Sequence, residues 1–120
     1  MRGSVNCWLI SFAVLTAGRS SAADVVDFTK HVRPILEKNC VSCHGATKQK
    51  AGLKLDLGKR VIKGGINGPV VVAKKSGESK LVHALNGSGE AGQMPPDGPL
   101  PDADIKLIAR WIDEGAAIPA

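Results

Sequence analysis

The chain predicts a small all-α domain, and three observations carry that prediction. Apolar residues recur at helical spacing near both ends of its body, residues 24–120. The stretch between them is rich in Gly and Lys and punctuated by turn signals. The body holds only two large aromatics, Phe28 and Trp111, and no Tyr. A domain this small is marginal on such a core. An additional apolar body at its centre is therefore expected, and without one the chain should be molten or unfolded.

Residues 1–23 read as a cleaved secretory leader. Met1-Arg2 gives a positive start, Cys7 to Ala17 is an apolar run of eleven residues, and Ser21-Ala22-Ala23 ends in small residues suited to signal peptidase. The run is too short for the roughly twenty residues of a membrane-spanning helix. Arg19, after the run, is unusual, and a retained anchor is the alternative. Cleavage would remove Cys7 and leave two cysteines in a 97-residue domain. Exported domains of this size often rely on several disulfides, which this chain lacks the cysteines to form.

The first helix is expected over 27–39. Asp27 suits its N-cap, and Phe28, Val32, Ile35 and Leu36 share one face. Pro34 lies past the first turn and should kink the helix or mark a second start. Further on, Leu53, Leu55 and Leu57 alternate with Lys54 and Asp56, as in a short extended piece. Lys59 to Lys63 suits one helical turn. Gly64-Gly65, Asn67-Gly68-Pro69 and Ser76-Gly77 mark turns. Val70-Val71-Val72 reads as a short buried strand or a packing loop. A short helix is expected over 80–85, capped by Ser79 and ended by Asn86-Gly87. Four prolines stiffen the loop from Gly92 to Pro101. In the last helix Asp102 suits the cap, Ile105, Ile108 and Ile112 form an apolar stripe, Leu107 and Trp111 join it, and Gly115 suits the stop.

Cys40-Val41-Ser42-Cys43-His44 carries the chemistry. It reads C-x-x-C-H, the pattern of covalent c-type haem attachment. Two thiols on one turn can add across the two vinyl groups of a haem. The following imidazole is then held under the ring as the proximal iron ligand. Three other readings compete. A redox disulfide should sit in a βαβ unit, and none is visible. Tetrahedral zinc needs a fourth ligand, which His31 or His83 would have to supply. Two inert buried thiols sit poorly beside Ser42 and His44. One covalently bound haem also provides the missing apolar body, with several kcal/mol of burial on the order expected for a few hundred square ångströms.

Met94 is the only methionine left after leader removal and lies fifty residues beyond His44. A thioether is a soft ligand, and His/Met ligation raises the reduction potential. A proline-stiffened loop can hold the sulfur without ordering cost, and Met94 falls outside every apolar stripe. His83 and His31 are the rival ligands. Neither has a comparable supporting loop.

The chain resembles class I cytochromes c, and more narrowly the cytochrome c-like domains common in Planctomycetes. The resemblance rests on Asp27-Phe28 through Leu36, Cys40 to Gly45, Gly52-Leu53-Lys54-Leu55-Asp56, Lys63-Gly64-Gly65, Met94-Pro95-Pro96 and Ile105 to Gly115. It implies a helical fold wrapped around one haem c, cofactor binding by Cys40, Cys43, His44 and Met94, with His44 and Met94 on the iron, and Trp111 packed near the first helix. Such domains are often joined to larger exported proteins, so the resemblance leaves open whether this one works alone.

The full chain carries a formal charge of +5. Without Arg2 and Arg19 it has 14 basic and 11 acidic residues, before haem propionates subtract about two charges. Basic residues concentrate between Lys48 and Lys80. They form either a plain solvated face or a patch that steers an acidic redox partner. No aromatic interleaving supports nucleic-acid binding. These features imply an exported or periplasmic monohaem one-electron carrier that is not an enzyme. The alternatives are a haem-based ligand sensor or peroxidase-like module with a labile sixth ligand, and a haem-free zinc or interaction module.

Overall fold

In the computed structural model, residues 25–119 are described, together with Ala13. Apart from Ala13, the leader expected over residues 1–23 lies outside the described residues. What is described is all-α. It contains helices α1 (Arg33–Asn39), α2 (Gly58–Lys63), α3 (Lys80–Leu85) and α4 (Asp102–Asp113). Short 3-10 turns lie at Lys50–Gly52 and Ser76–Glu78. Among the described residues there is no strand, only isolated bridges at His44–Gln49 and Gly65–Gly68.

The first helix begins as the sequence predicts, since Asp27 Oδ1 accepts the Lys30 amide at 2.8 Å. It then forms one wide π-turn, Phe28–Val32, before α1 starts. Pro34 explains the break. In one continuous α-helix its missing N–H would orphan the Lys30 carbonyl and its ring would press on that group. Within the first turn of a new helix the missing N–H costs nothing. Of the two outcomes open to Pro34, a second start is the one realised.

Two caps differ from expectation. Asp102 is the first residue of α4 and makes no side-chain cap; Pro101 occupies the cap position. Asp102 and Asp104 instead place negative charge in the first turn, at the positive end of the helix dipole. Ser79 holds the cap position of α3, but its hydroxyl does not bond the helix. The side chain is fully buried and turned toward the preceding loop. It accepts the Val72 amide at 2.9 Å and donates to the Lys75 carbonyl at 2.9 Å. That loop is Val70-Val71-Val72, which forms no strand: Val71 is buried and Val72 is exposed. The leucine alternation is also cut short. Leu55 is buried, but Leu57 lies at the surface because the chain bends at Asp56 to enter α2.

The core lies between the first helix and α4. The Phe28 and Trp111 rings meet at 5.3 Å between centroids, tilted by 41°. Ile108 and Ile112 are fully buried beside them, and Leu36, Val61 and Leu85 close the cluster. After α4, Gly115 takes φ 113° and reverses the chain. The tail then returns beneath Trp111, whose Nε1 donates to the Ala117 carbonyl at 2.8 Å. Asp113 clamps the loop before α3, accepting the Ser76 amide at 2.9 Å and the Ser76 hydroxyl at 2.8 Å.

Replacing Ser79 with Ala removes the loop's central tie and leaves the Val72 amide without its partner. We expect a loss of about 1–3 kcal/mol, measured by denaturant unfolding of the intact protein. A change below about 0.5 kcal/mol would contradict this role for Ser79.

Candidate functional site

The candidate site is built at the end of α1. The Leu36 carbonyl takes both the Cys40 amide at 2.8 Å and the Val41 amide at 3.1 Å, which tightens the last turn. The Cys40 carbonyl then receives the Cys43 amide at 3.2 Å and the His44 amide at 2.8 Å. Cys40, Cys43 and His44 therefore share one closed turn. Gly45 follows and is buried; a Cβ there would collide with the Val41 backbone oxygen and side chain. Only glycine lets the chain leave the turn along this path.

His44 is fixed from three sides. Its carbonyl accepts the Leu55 amide at 2.6 Å, and the Cys43 carbonyl just before it accepts the Lys50 amide at 3.1 Å. Its Nδ1 lies 3.1 Å from the Lys50 carbonyl. A carbonyl only accepts, so Nδ1 carries the proton and donates. In this tautomer the lone pair lies at Nε2. A hydrogen bond at the far nitrogen is what orients a ligating imidazole and raises its basicity. Lys50 is the functional partner that sequence reasoning missed. It acts through its backbone, so its side-chain identity carries no signal; only the neighbouring turn leaves a trace, with Ala51 at φ 55° and Gly52 at φ 64°.

The two thiols are free and half-buried, not bridged to one another. Cys40 packs against the core, and burial pushes its thiol from 9.0 up to about 11. Among the described residues, no group of three or more His, Cys, Asp or Glu is arranged to hold a metal ion. The zinc reading thus finds no cluster, and both histidine rivals already hydrogen-bond backbone groups outside the Cys40 turn. His31 Nδ1 accepts the Asp27 amide at 2.9 Å, which puts its proton on Nε2. His83 Nε2 donates to the Gly77 carbonyl at 2.7 Å.

Met94 is half-buried and held by α3. Its amide donates to the Ala84 carbonyl at 2.9 Å, and Gln93 Nε2 donates to the Leu85 carbonyl at 3.0 Å. Both carbonyls lie at the C-terminal end of the helix, and that of Ala84 also takes the Gly87 amide at 3.2 Å. The Met94–Pro95 peptide bond is cis. The structure thus brings Cys40, Cys43 and His44 together on one turn and fixes Met94 from a separate element.

Two unbridged thiols and an imidazole with a free Nε2 on a single turn are the donor set that covalent haem attachment requires, and the residues fit it. An all-α domain carrying this turn defines the class of c-type cytochromes. Residues 40–98, from the first cysteine through the Met94 loop, match the family described as planctomycete cytochrome C, and the chain carries a cytochrome c-like domain of that type. Such a domain implies covalently bound haem c. No curated protein and no solved structure matches the chain.

The two thiols should differ in reactivity. At pH 8, limiting iodoacetamide added to the chain with its cysteines unmodified should label Cys43 well ahead of Cys40, read by peptide mass. Equal labelling would show that the haem-free chain is molten, as its thin core predicts, and does not hold Cys40 buried.

Proposed function

We propose that the protein is an exported monohaem c-type cytochrome that carries single electrons. Cys40 and Cys43 form the two thioethers, His44 Nε2 is the proximal ligand and Met94 Sδ is the sixth. The observation that carries this reading is the hydrogen bond from His44 Nδ1 to the Lys50 carbonyl. It sets the tautomer and aim of an imidazole that sits on the same turn as two free thiols.

Haem iron, when bound, supplies the one-electron chemistry. The chain does the rest. The closed turn presents both sulfurs and the imidazole as one rigid unit. The hydrogen bonds from Met94 and Gln93 to α3 hold the thioether's backbone, so little is left to reorganise. Cys40, Cys43, His44 and Met94 are all half-buried, so a haem held by them would be partly shielded from water. With His44 and Met94 both committed to holding the iron, the bound haem would exchange electrons without needing to bind a substrate.

Docking is proposed at the basic stretch. Lys48, Lys50, Lys59, Lys63, Lys74, Lys75 and Lys80 are all exposed. They suit an acidic redox partner approached by electrostatic steering. Export is proposed from the leader-like residues 1–23. Among the described residues, no helix is long and apolar enough to cross a membrane.

The purified holoprotein should keep its haem after denaturation, seen by intact mass, and show low-spin haem with a sulfur-to-iron charge-transfer band. Met94→Ala should abolish that band, lower the reduction potential and admit carbon monoxide at once. An unchanged spectrum would refute Met94 ligation. His44→Ala should cut holoprotein yield by about tenfold or more; normal yield would refute the proximal assignment.

A further inference from the structure

Lys54, Arg60 and Lys63 converge on a cleft of about 270 Å³, whose other walls are Gln49, Gly52 and Gly64. The cleft adjoins the haem-attachment turn through the chain. Gln49 and Gly52 flank Lys50, whose carbonyl holds His44, and Lys54 precedes Leu55, whose amide bonds the His44 carbonyl at 2.6 Å. Arg60 is oriented rather than free to swing, since its Nη1 donates to Asp56 Oδ2 at 2.7 Å. A guanidinium has five donors, so Nε and Nη2 remain for another acceptor. The second carboxylate oxygen, Asp56 Oδ1, is buried and without a partner. Asp56 is thus committed to positioning Arg60, at a cost in its own satisfaction. Among the described residues, neither Lys54 nor Lys63 has an ion-pair partner.

Three cations around one carboxylate leave two positive charges unbalanced in one cleft. Such an arrangement is unfavourable while it stands empty and favourable once an anion enters. Phosphate and carboxylate both match a guanidinium flanked by ammonium groups. A haem carries two propionates, which are ionised at neutral pH as ordinary carboxylates are. Their charge equals the excess.

We propose that this cleft is an oxyanion site and that its resident occupants are the haem propionates. The inference rests on the haem reading above and extends it to Lys54, Arg60 and Lys63, with Asp56 as the residue that positions Arg60. A free phosphate would satisfy the same chemistry, and the test separates the two sources.

The experiment compares wild type with Lys54→Gln/Lys63→Gln and with a control of equal net charge, Lys38→Gln/Lys106→Gln, whose positions are exposed on other helices. Intact mass first reports haem on each chain. Haem labelled with carbon-13 at its propionate carboxyls is then titrated by NMR, which reads the propionates apart from Asp56. The cleft variant should raise a propionate pKa by about one unit, a tenfold change in proton affinity, and the control should not. In parallel, inorganic phosphate is titrated against thermal unfolding of each chain. Stabilisation of wild type but not of the cleft variant, with propionates unmoved, would uphold the oxyanion site and assign it to free phosphate. If neither the propionates nor phosphate distinguish the cleft variant from the control, the inference is overturned. If wild type carries no haem, the proposed function falls, and the phosphate arm still decides whether the cleft binds an oxyanion.

Discussion

The hydrogen bond between His44 Nδ1 and the Lys50 carbonyl is the constraint on which the rest of the site depends. An unanchored imidazole has two tautomers and a free rotation, and only one combination places a lone pair where iron would be bound. To keep a backbone carbonyl beneath the ring, the chain must double back within six residues. Several otherwise odd local features follow from that reversal. Gly45 must lack a side chain to leave the turn, Ala51 and Gly52 take positive φ, and the Leu55 amide returns to the His44 carbonyl. Leu55 is itself buried in the core. The aim of the imidazole is therefore coupled to hydrophobic packing rather than to a mobile side chain, which is how a precise site is kept in a small domain.

The remaining elements serve as a frame with two independent grips. The Cys40 turn hangs from the end of α1, and Met94 hangs from the end of α3. Both attachments use carbonyls near a helix C-terminus, which have no partner within the helix and so accept bonds at no cost to it. The frame is kept in register by α4. Trp111 packs against Phe28, which leads into α1, and Asp113 fixes the loop that leads into α3. On the proposed reading, a shift of α4 would change the spacing between the two axial ligands without touching either.

Much of this was legible in the residues, for identifiable reasons. The helices that formed where expected are those whose apolar spacing and turn residues agree, as with Asp27 and Phe28 at one end and Ile108, Ile112 and Gly115 at the other. C-x-x-C-H is a local signal whose geometry is set by adjacent residues, so the structure had little freedom to alter it. What could not be read was carried by backbone groups or by competition between partners. Lys50 contributes a carbonyl, which every residue has. Ser79 looked like a cap because a serine before a helix commonly is one, but its buried hydroxyl bonds the Val72 amide and the Lys75 carbonyl instead of the helix start. Asp102 lost its cap position to Pro101, whose extended backbone enters a helix equally well. The cleft of Lys54, Arg60 and Lys63 was visible only as a basic stretch, because its shape depends on the turn at Gly64 and the return of the chain past Gly52.

The burial of Cys40 gives covalent attachment a thermodynamic consequence beyond holding a cofactor. In the folded chain its free thiol is held at about 11, against an ordinary value of 9.0, because burial disfavours the thiolate. The folded state then keeps its proton where the unfolded chain releases it. By linkage, stability conferred by the neutral thiol is complete below the ordinary value and is lost as pH rises from there through the folded one. A thioether has no proton to lose. On the proposed reading, converting Cys40 to a thioether leaves an apolar sulfur in an apolar place and removes that alkaline weakness altogether. It also makes the step one-way in practical terms, since the buried group can no longer ionise, bridge to Cys43 or reach an oxidant. The position that is least reactive as a thiol is thus the one that gains most from being turned into a thioether. That places the chemical difficulty at the moment of attachment, before the fold has closed over Cys40, and not in the finished protein.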